Sequence, residues 1–499
     1  MLDQFNTTLG TSHTLDTPSL SSLLEECIAN NWDFGMAYGC LRQIWYTDDW
    51  STIRDTFRKW EEEDREMRRK ALLGNRIVKP SLLPRRVWDL FSNRVVPLWC
   101  TGIKEERTWT VLPISHGWMD EKDRVDEWTP INGYEWPVPI PKDTNLNFIR
   151  IEMLNIEAED SLFAAEYAWL DVLCLRQVGG PGEDMRGEEW KLDVPTIGKV
   201  YRDTEVVTYL SGLGRPLSLK DGNLESDRSW FRRAWTVQEV GGKMLIAGDT
   251  PDGPMHARRD KDGNYETELL TRFHKQLEFV QVFLYGVTAV LGEMQNRVST
   301  NPVDKVAGLA FLLDSEMIPA YYESESLEDA WTALVNSLDE WSRAELFFLY
   351  PEPGNAGRKW RPSWDQLMTK PPPEDRPHGI LVDRNEEMDE DWCNLYCIEK
   401  GWVRGLAHVV EGSDRRGELI IKDAGGTEHA FNITATHEYP IPDNTYTLIG
   451  AHSVWFEDWV VGRRLPGKRF EKVSVLKFPD KEEWRQLESL SEECWNILV

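Results

Sequence analysis

The sequence predicts an α/β protein in which a parallel sheet is flanked by helical N-terminal and central regions and followed by a β-rich C-terminal region. Between about residues 108 and 250, short apolar runs alternate with segments of helical periodicity. Apolar strands separated by helices form parallel sheets with helices on both faces. After about residue 395, strand-like runs follow one another.

The composition excludes several classes of protein. The 499 residues carry 57 Lys+Arg against 85 Asp+Glu, a formal net charge of −28, and 41% are hydrophobic. The apolar content excludes global disorder. The acidity argues against nucleic acid as a partner and against an anionic membrane surface, because both attract basic proteins. The 24 Trp imply aromatic cores, or surfaces that meet a ligand.

Targeting and cysteine patterns predict a cytoplasmic protein. The N-terminus shows no secretory signal, and the best apolar run, 282–292, is far shorter than the roughly 18 residues of a membrane span. Seven scattered Cys are a poor disulfide framework and fit a reducing compartment. Cys393 and Cys397 have no second pair at zinc-finger spacing, and the His are dispersed, so we expect two ordinary thiols and no metal site.

The chain is predicted to contain five segments. In order, they are a helical N-terminal region (1–100), the α/β domain (101–250), a helical extension (251–370), a linker (371–394) and the β-rich region (395–499). In the first, Ile53, Phe57 and Trp60 recur at helical spacing. In the third, Ser326 is the expected N-cap of a helix.

Within the α/β domain, strands and helices are predicted in alternation. The predicted strands are 108–114, 166–175, 206–213 and 243–248. The predicted helices are 193–205, with Asp193 as N-cap and Pro195 in the first turn, and 230–240. In the C-terminal region, the predicted strands are 403–410, 418–422, 446–449, 453–461 and 472–478.

Two acidic residues in this domain are candidate site residues. Asp171 stands in an apolar strand, so its carboxylate needs a partner or a place at the carboxyl end of the strand, where ligands bind in open α/β sheets. It either ties down a loop or lines a pocket, and the residues alone favour the structural role.

Glu239 is the second. On the predicted helix it shares a face with Trp235, and Arg232 lies two turns away. Such a group suits an adenine-like or nicotinamide-like ligand with phosphates; the alternative is an Arg–Glu network with Trp235 in the core.

The segment 115–118 (SHGW) follows the first predicted strand and could offer backbone N–H groups to an anion. Several familiar signatures are absent, namely the P-loop, G-x-G-x-x-G, H-E-x-x-H and G-x-S-x-G.

Taken in order, these segments resemble the fungal heterokaryon-incompatibility (HET) domain. The segment 169–177 (WLDVLCLRQ) matches the family motif W-[IL]-D-x-[LI]-C-I-x-Q almost fully, and 230–239 (WFRRAWTVQE) matches W-F-x-R-x-W-T-x-Q-E. Weaker matches are 115–118, 197–201 (IGKVY), 304–306 (DKV) and 361–364 (RPSW). The resemblance covers about residues 108 to 250 closely and extends weakly to about 367.

HET domains are in turn similar to TIR domains, so the resemblance implies a TIR-like, flavodoxin-like sheet. It also implies hydrolysis of NAD as a substrate, without a further cofactor. Glu239 would hold the nicotinamide ribose hydroxyls and stabilise the oxocarbenium-like charge. Ser115, His116 and Trp118 would line the nicotinamide side, and Asp171 would orient the loops. Arg232 or Arg233 would face a phosphate.

Two functions of different classes follow from the resemblance. The first is an NAD glycohydrolase that causes regulated cell death after non-self recognition. The second is a non-enzymatic TIR-like signalling module that self-associates and recruits a protein partner. Fold alone does not decide between them. TIR-type activity generally depends on self-association, so we expect any activity to rise with protein concentration.

Overall fold

The computed structural model describes residues 1–47, 49–103, 111–156, 165–202, 204–281, 286–370, 380–409, 414–450, 457–479, 483, 486–487 and 489–499. The chain forms two compact units, which are considered separately. Unit 1 contains residues 1–283 and 297–325, and unit 2 contains residues 284–296 and 326–499. The five-segment division of the sequence stays a prediction.

The described helices, in chain order, are α1 (Leu2–Leu9), α2 (Leu20–Ala29), α3 (Phe34–Leu41), α4 (Ile53–Ala71), α5 (Leu146–Asn155), α6 (Asp171–Cys174), α7 (Glu183–Asp193), α8 (Gly198–Tyr201), α9 (Glu268–Val280), α10 (Val287–Gln295), α11 (Asp304–Ala310), α12 (Leu327–Ser337), α13 (Glu340–Leu349) and α14 (Trp364–Thr369). The strands are β1 (Leu72–Leu73), β2 (Arg76–Ile77), β3 (Arg86–Asp89), β4 (Arg94–Pro97), β5 (Val111–His116), β6 (Arg124–Glu127), β7 (Val138–Pro141), β8 (Tyr167–Leu170), β9 (Glu205–Tyr209), β10 (Lys243–Ile246), β11 (Ile318–Pro319), β12 (Asp383–Asn385), β13 (Glu390–Arg404), β14 (Arg415–Lys422), β15 (Glu428–Ala435), β16 (Asn444–Gly450), β17 (Asp458–Leu465), β18 (Arg469–Lys477) and β19 (Glu492–Leu498). The protein is therefore of mixed α/β class, as predicted. Among the described residues, no helix combines the length and apolar composition that a membrane span requires.

Unit 1 is built on a six-stranded sheet in the order β10-β9-β5-β8-β3-β4. Strands β10, β9, β5 and β8 are parallel, and the antiparallel pair β3–β4 extends the sheet beside β8. The parallel strand that comes first in the chain, β5, lies between β8 and β9. The connection from β5 leads to β8 on one side and the connection from β9 leads to β10 on the other, so the strand order reverses between β5 and β9.

Large aromatic side chains fill the core around this sheet. Trp88, Trp136 and Trp169 are almost fully buried. The indole N–H of Trp136 donates to the carbonyl of Val172 at 3.1 Å, so a buried donor is satisfied. The ring of Trp169 meets Tyr201 edge to face at 5.8 Å. Part of the tryptophan excess is thus explained as core.

Several local predictions for unit 1 are wrong. Residues 86–97, expected to be helical, contain β3 and β4 of the central sheet. The segment 166–175 is a strand only as far as Leu170, and Asp171 begins the short helix α6 at the carboxyl end of β8. Residues 108–110 of the first predicted strand lie outside the described residues. The strands predicted at 206–213 and 243–248 correspond to β9 and β10.

Asp193 is not an N-cap, because it ends α7. Its carboxylate accepts from the guanidinium of Arg85 at 2.8 Å and lies 3.6 Å from that of Arg68. Pro195 then follows the end of a helix, which is the other common position of proline near helices. The role of Asp193 is therefore to pair with Arg85 within unit 1 rather than to cap a helix.

The segment 230–240 is not an α-helix but two 3₁₀ turns, Trp230–Arg232 and Trp235–Val237. Its backbone bonds instead to a later segment: Val298 accepts from the N–H of Ala234 at 2.9 Å and donates to the carbonyl of Arg232 at 2.6 Å. The guanidinium of Arg297 donates to the carbonyl of Arg233 at 2.8 Å. These tertiary hydrogen bonds replace the ones that a helix would make.

Unit 2 combines α10 and α12–α14 with a mainly antiparallel sheet that closes on itself, in which only the described β18–β19 pairing is parallel. Strands follow the order β13-β14-β15-β18-β17-β16, and β16 pairs again with β13. The five predicted C-terminal strands overlap β13, β14, β16, β17 and β18. Ser326 is the N-cap of α12, as predicted, and accepts from the N–H of Asp329. Of the predicted linker, 371–379 lie outside the described residues, and 383–385 and 390–394 are in strands.

Candidate functional site

A small cleft, about 10 Å³ in volume, lies at the carboxyl ends of β5 and β8, next to β9. Ligands of open α/β sheets bind at such ends, where the strand order reverses. The cleft is lined by the side chains of Ile114, His116, Trp118, Asp171, Tyr201, Arg233, Trp235, Thr236 and Glu239. They come from four separate stretches of the sequence.

Glu239 is the most perturbed acid of the cleft. It is 9% exposed, and its carboxylate accepts from the hydroxyl of Ser115 at 2.5 Å. That hydroxyl in turn accepts from the indole N–H of Trp230 at 2.7 Å. Burial raises the pKa of Glu239 to about 7, because the hydrogen bond from Ser115 and the nearby cations only partly offset the desolvation. Ser115 and Trp230, which come from two different motifs, thus orient the carboxyl group of Glu239, whose pKa is near neutrality.

His116 and Asp171 form a second pair in the cleft. The Nε2 of His116 lies 2.9 Å from the Asp171 carboxylate, and its Nδ1 lies 3.3 Å from the carbonyl of Gly117. Burial alone would lower the pKa of His116, but the Asp171 carboxylate outweighs it and the net shift is upward. The backbone N–H of Val172 donates to the same Asp171 oxygen at 2.7 Å. The Asp171 carboxylate therefore bonds both to the backbone of the first turn of α6 and to a cleft residue, which it orients.

The two arginines assigned to a phosphate differ in position. Arg233 lines the cleft, and its guanidinium lies 5.5 Å from the centre of the Trp118 ring. Burial lowers its pKa, although Asp304, Glu239 and Asp171 all favour the charged form. Arg232 instead pairs with Asp227 at 3.2 Å and does not line the cleft. The prediction that Arg232 shares a face with Glu239 is wrong, because the segment between them is not an α-helix.

Trp235 lines one wall of the cleft and packs near Tyr321 and Asp304. Its ring lies 6.5 Å from that of Tyr321. The hydroxyl of Tyr321 donates to Asp304 at 2.8 Å. Burial raises the pKa of Asp304, and hydrogen bonds from Tyr321 and Trp235 and the charge of Arg233 partly offset that effect. Asp304 thus links the 3₁₀ turns to α11.

Of the eight residues predicted for the site, seven meet here: Glu239, Ser115, His116, Trp118, Asp171, Trp235 and Arg233. Ser115 lies behind Glu239 rather than on the cleft surface, and Arg232 lies outside. Sequence reasoning missed Ile114, Tyr201 and Thr236 in the lining and Asp304 behind it. Tyr201, Thr236 and Asp304 belong to matched segments, so a signal for all three was present. Tyr321 had none.

The arrangement is suited to a ligand that carries hydroxyl groups or positive charge. Two carboxyl groups, Glu239 and Asp171, face one cleft, and aromatic rings from Trp118 and Trp235 offer flat apolar surfaces. Such walls stack on planar rings, and the carboxylates favour developing positive charge. Comparison with models of known protein families, with curated proteins and with solved structures finds no match.

Proposed function

We propose that this chain is a HET-domain protein with a TIR-like domain in unit 1, and that it acts in non-self recognition and regulated cell death. The convergence of the matched segments supports this proposal: 115–118, 169–177, 197–201 and 230–239 all contribute side chains to one cleft. The chain order of the parallel strands also supports it, because a first strand lying between the second and third is the flavodoxin-like arrangement.

We further propose that the cleft hydrolyses NAD to nicotinamide and ADP-ribose. The observation that carries this step is Glu239, a buried carboxyl group that titrates near neutrality and reaches the cleft. Its carboxylate would accept from the ribose hydroxyls and stabilise the positive charge that develops as the glycosidic bond breaks. Water then adds to the ribose carbon, and its proton leaves to solvent. The nicotinamide ring would lie against Trp118 beside His116.

Charge and size limit how the substrate would sit. At about 10 Å³, the cleft has room for about one water molecule and is far smaller than the roughly 300–1,000 Å³ of typical ligand pockets. The nicotinamide riboside end would enter only after the side chains of the cleft walls move apart, and the phosphates and the adenosine would stay outside. The net charge of −28 opposes those phosphates, so Arg233 is the cation assigned to them.

A nicotinamide-release assay on the purified full chain tests the proposal. We expect release by the wild type and a loss of at least about 100-fold in Glu239→Ala, because an oriented electrostatic group contributes that much. Glu152→Gln is the matched control, since Glu152 also accepts from a hydroxyl, that of Tyr209, at 2.5 Å but does not line the cleft. Equal, slow release by wild type and Glu239→Ala would rule out the enzyme.

The small cleft favours a second candidate function, the self-associating module that recruits a protein partner without catalysis. Measuring nicotinamide release and oligomeric state over a range of protein concentrations separates the two. Activity that rises with assembly supports a TIR-like enzyme. Assembly without release in any variant supports the module. A strictly monomeric chain with a concentration-independent rate contradicts the role of self-association in both. The cytoplasmic location stays a prediction.

A further inference from the structure

Three cysteines of unit 2 gather where β13 meets β19. The two strands pair antiparallel, with Cys393 opposite Asn496 and Leu395 opposite Cys494. Alternate residues of a strand point to one face, so Cys393, Cys397 and Cys494 share a face of the sheet. The two thiols of the C-x3-C segment are therefore joined by a third, that of Cys494, from β19.

Glu399 completes a compact group of donor atoms on the same face. The thiol sulfurs of Cys397 and Cys494 and a carboxylate oxygen of Glu399 all lie within 4.8 Å of one another. Cys397 is buried, Cys494 is partly buried and Glu399 is exposed. The group therefore has a closed side within the sheet and an open side that an ion can reach.

Neighbouring side chains hold this group in place. The guanidinium of Arg464 donates to Glu399 at 2.7 Å and lies 3.6 Å from the sulfur of Cys397. Thr447 donates to the other oxygen of Glu399 at 3.1 Å. On the opposite face of the strands, the rings of Trp392 and Trp495 stack at 3.7 Å, which favours one register of β13 and β19.

We propose that Cys397, Cys494 and Glu399 bind a thiophilic divalent cation of the zinc type. Cysteine sulfur and carboxylate oxygen are both zinc ligands, and three protein ligands leave a fourth tetrahedral position for water. The site goes beyond the proposed function, since all its residues belong to unit 2.

The geometry and the charge both fit such an ion. In a tetrahedral zinc site two sulfurs are about 3.8 Å apart and a sulfur and an oxygen are about 3.5 Å apart. Atoms that lie within 4.8 Å of one another therefore need to approach by no more than about 1–1.3 Å. Two thiolates and one carboxylate leave the zinc complex with a single negative charge. Arg464, which already contacts Glu399 and Cys397, would balance that charge as an outer hydrogen-bond donor.

Cobalt and zinc titrations of the reduced, chelator-treated full chain test the proposal. We expect one equivalent of Co²⁺ to bind with a thiolate-to-cobalt charge-transfer band and to be displaced by Zn²⁺. Cys397→Ser and Cys494→Ser should each weaken Zn²⁺ binding by at least about 100-fold, which is the upper end of the loss caused by outer-shell changes alone. Cys393→Ser is the matched control and should keep the band.

A labelling measurement covers the case in which a variant fails to fold. In the wild type, Zn²⁺ should slow alkylation of Cys494, which is partly exposed, while leaving buried Cys27 and Cys174 unchanged. Absence of binding, loss of the band in Cys393→Ser, or unaltered labelling of Cys494 would each overturn the ligand set. A Cys397–Cys494 disulfide formed with peroxide in a chain that binds no Zn²⁺ would overturn it as well.

Discussion

Glu189, which is partly buried, and Glu239, which is buried, are two glutamates of unit 1 with opposite electrostatic surroundings. The carboxylate of Glu189 accepts from Arg86 at 2.7 and 2.9 Å, and Arg176 lies nearby at 3.4 Å. Despite burial, these arginines lower the pKa of Glu189. Glu239 has a serine hydroxyl as its hydrogen-bond partner, and burial raises its pKa to about 7.

The difference teaches that burial alone does not identify a functional acid. When guanidinium groups donate two hydrogen bonds to a buried carboxylate, they offset the loss of its solvation. Such a carboxylate contributes to the fold, and its oxygens are not available to a ligand. A buried carboxyl group with few cations or hydrogen-bond donors around it has an unstable charged form. A ligand that brings hydroxyl groups or positive charge stabilises that charged form, so such a group favours ligand binding. The same substitution, Glu to Gln, should therefore have opposite effects at the two positions.

The largest effect is expected for Glu189→Gln. Removing the charge takes the carboxylate partner from Arg86, while Arg176 keeps only Glu135 at 3.1 Å, and this loss should lower the free energy of unfolding by about 3 kcal/mol at neutral pH. The pKa of Glu189 is lowered in the folded state, so its contribution exists above the unfolded pKa and is lost on acidification. Denaturant unfolding followed by tryptophan fluorescence measures it. Glu188→Gln, at an exposed side chain beside it, is the control; equal effects of both would contradict the comparison.

A smaller effect of opposite sign is expected for Glu239→Gln. A pKa raised from 4.5 to about 7 means that the folded state binds the proton more tightly than the unfolded chain. Stability is then lost as pH rises from the unfolded pKa through the folded one. Gln cannot ionise but can still accept from Ser115, so the variant should be more stable than wild type by about 1–3 kcal/mol at about pH 8 and equal to it at about pH 4. A variant that is less stable at both pH values would contradict this.

The sequence predicted the sheet and most of the cleft because both rest on local patterns. Apolar runs located β9 and β10, and residues that follow strands located His116 and Asp171 at the carboxyl edge. The carboxyl ends of parallel strands meet at one edge of the sheet, so residues that directly follow such strands are expected to lie close together there. For the same reason, seven of the eight predicted site residues lie together.

What sequence reasoning missed depends on partners that are distant in the chain. The segment 230–240 has helical periodicity, but the hydroxyl of Thr236 bonds to the carbonyl of Trp230 at 2.6 Å and accepts from Arg297 at 2.7 Å. Those bonds divert the backbone into 3₁₀ turns and move Arg232 out of the cleft. Similarly, Arg85 pairs with Asp193 across 108 residues. No spacing within either segment reveals such partners.

The smallest expected effect concerns the positioning of His116 by Asp171. The Asp171 carboxylate is the main reason that the pKa of His116 is raised in spite of burial. Asp171→Asn should therefore lower the pKa of His116, which a pH titration of the His116 ring protons by NMR would measure. Protonated His116 stabilises the fold below its unfolded pKa and loses that contribution as pH rises through the folded pKa, so the variant should lose stability mainly at acidic pH.

Asp423→Asn is the matched control, because His429 lies 3.0 Å from Asp423 in unit 2. If both variants leave the titration of His116 unchanged, Asp171 orients α6 only, and the ring of His116 would have to be held by its contact with the carbonyl of Gly117.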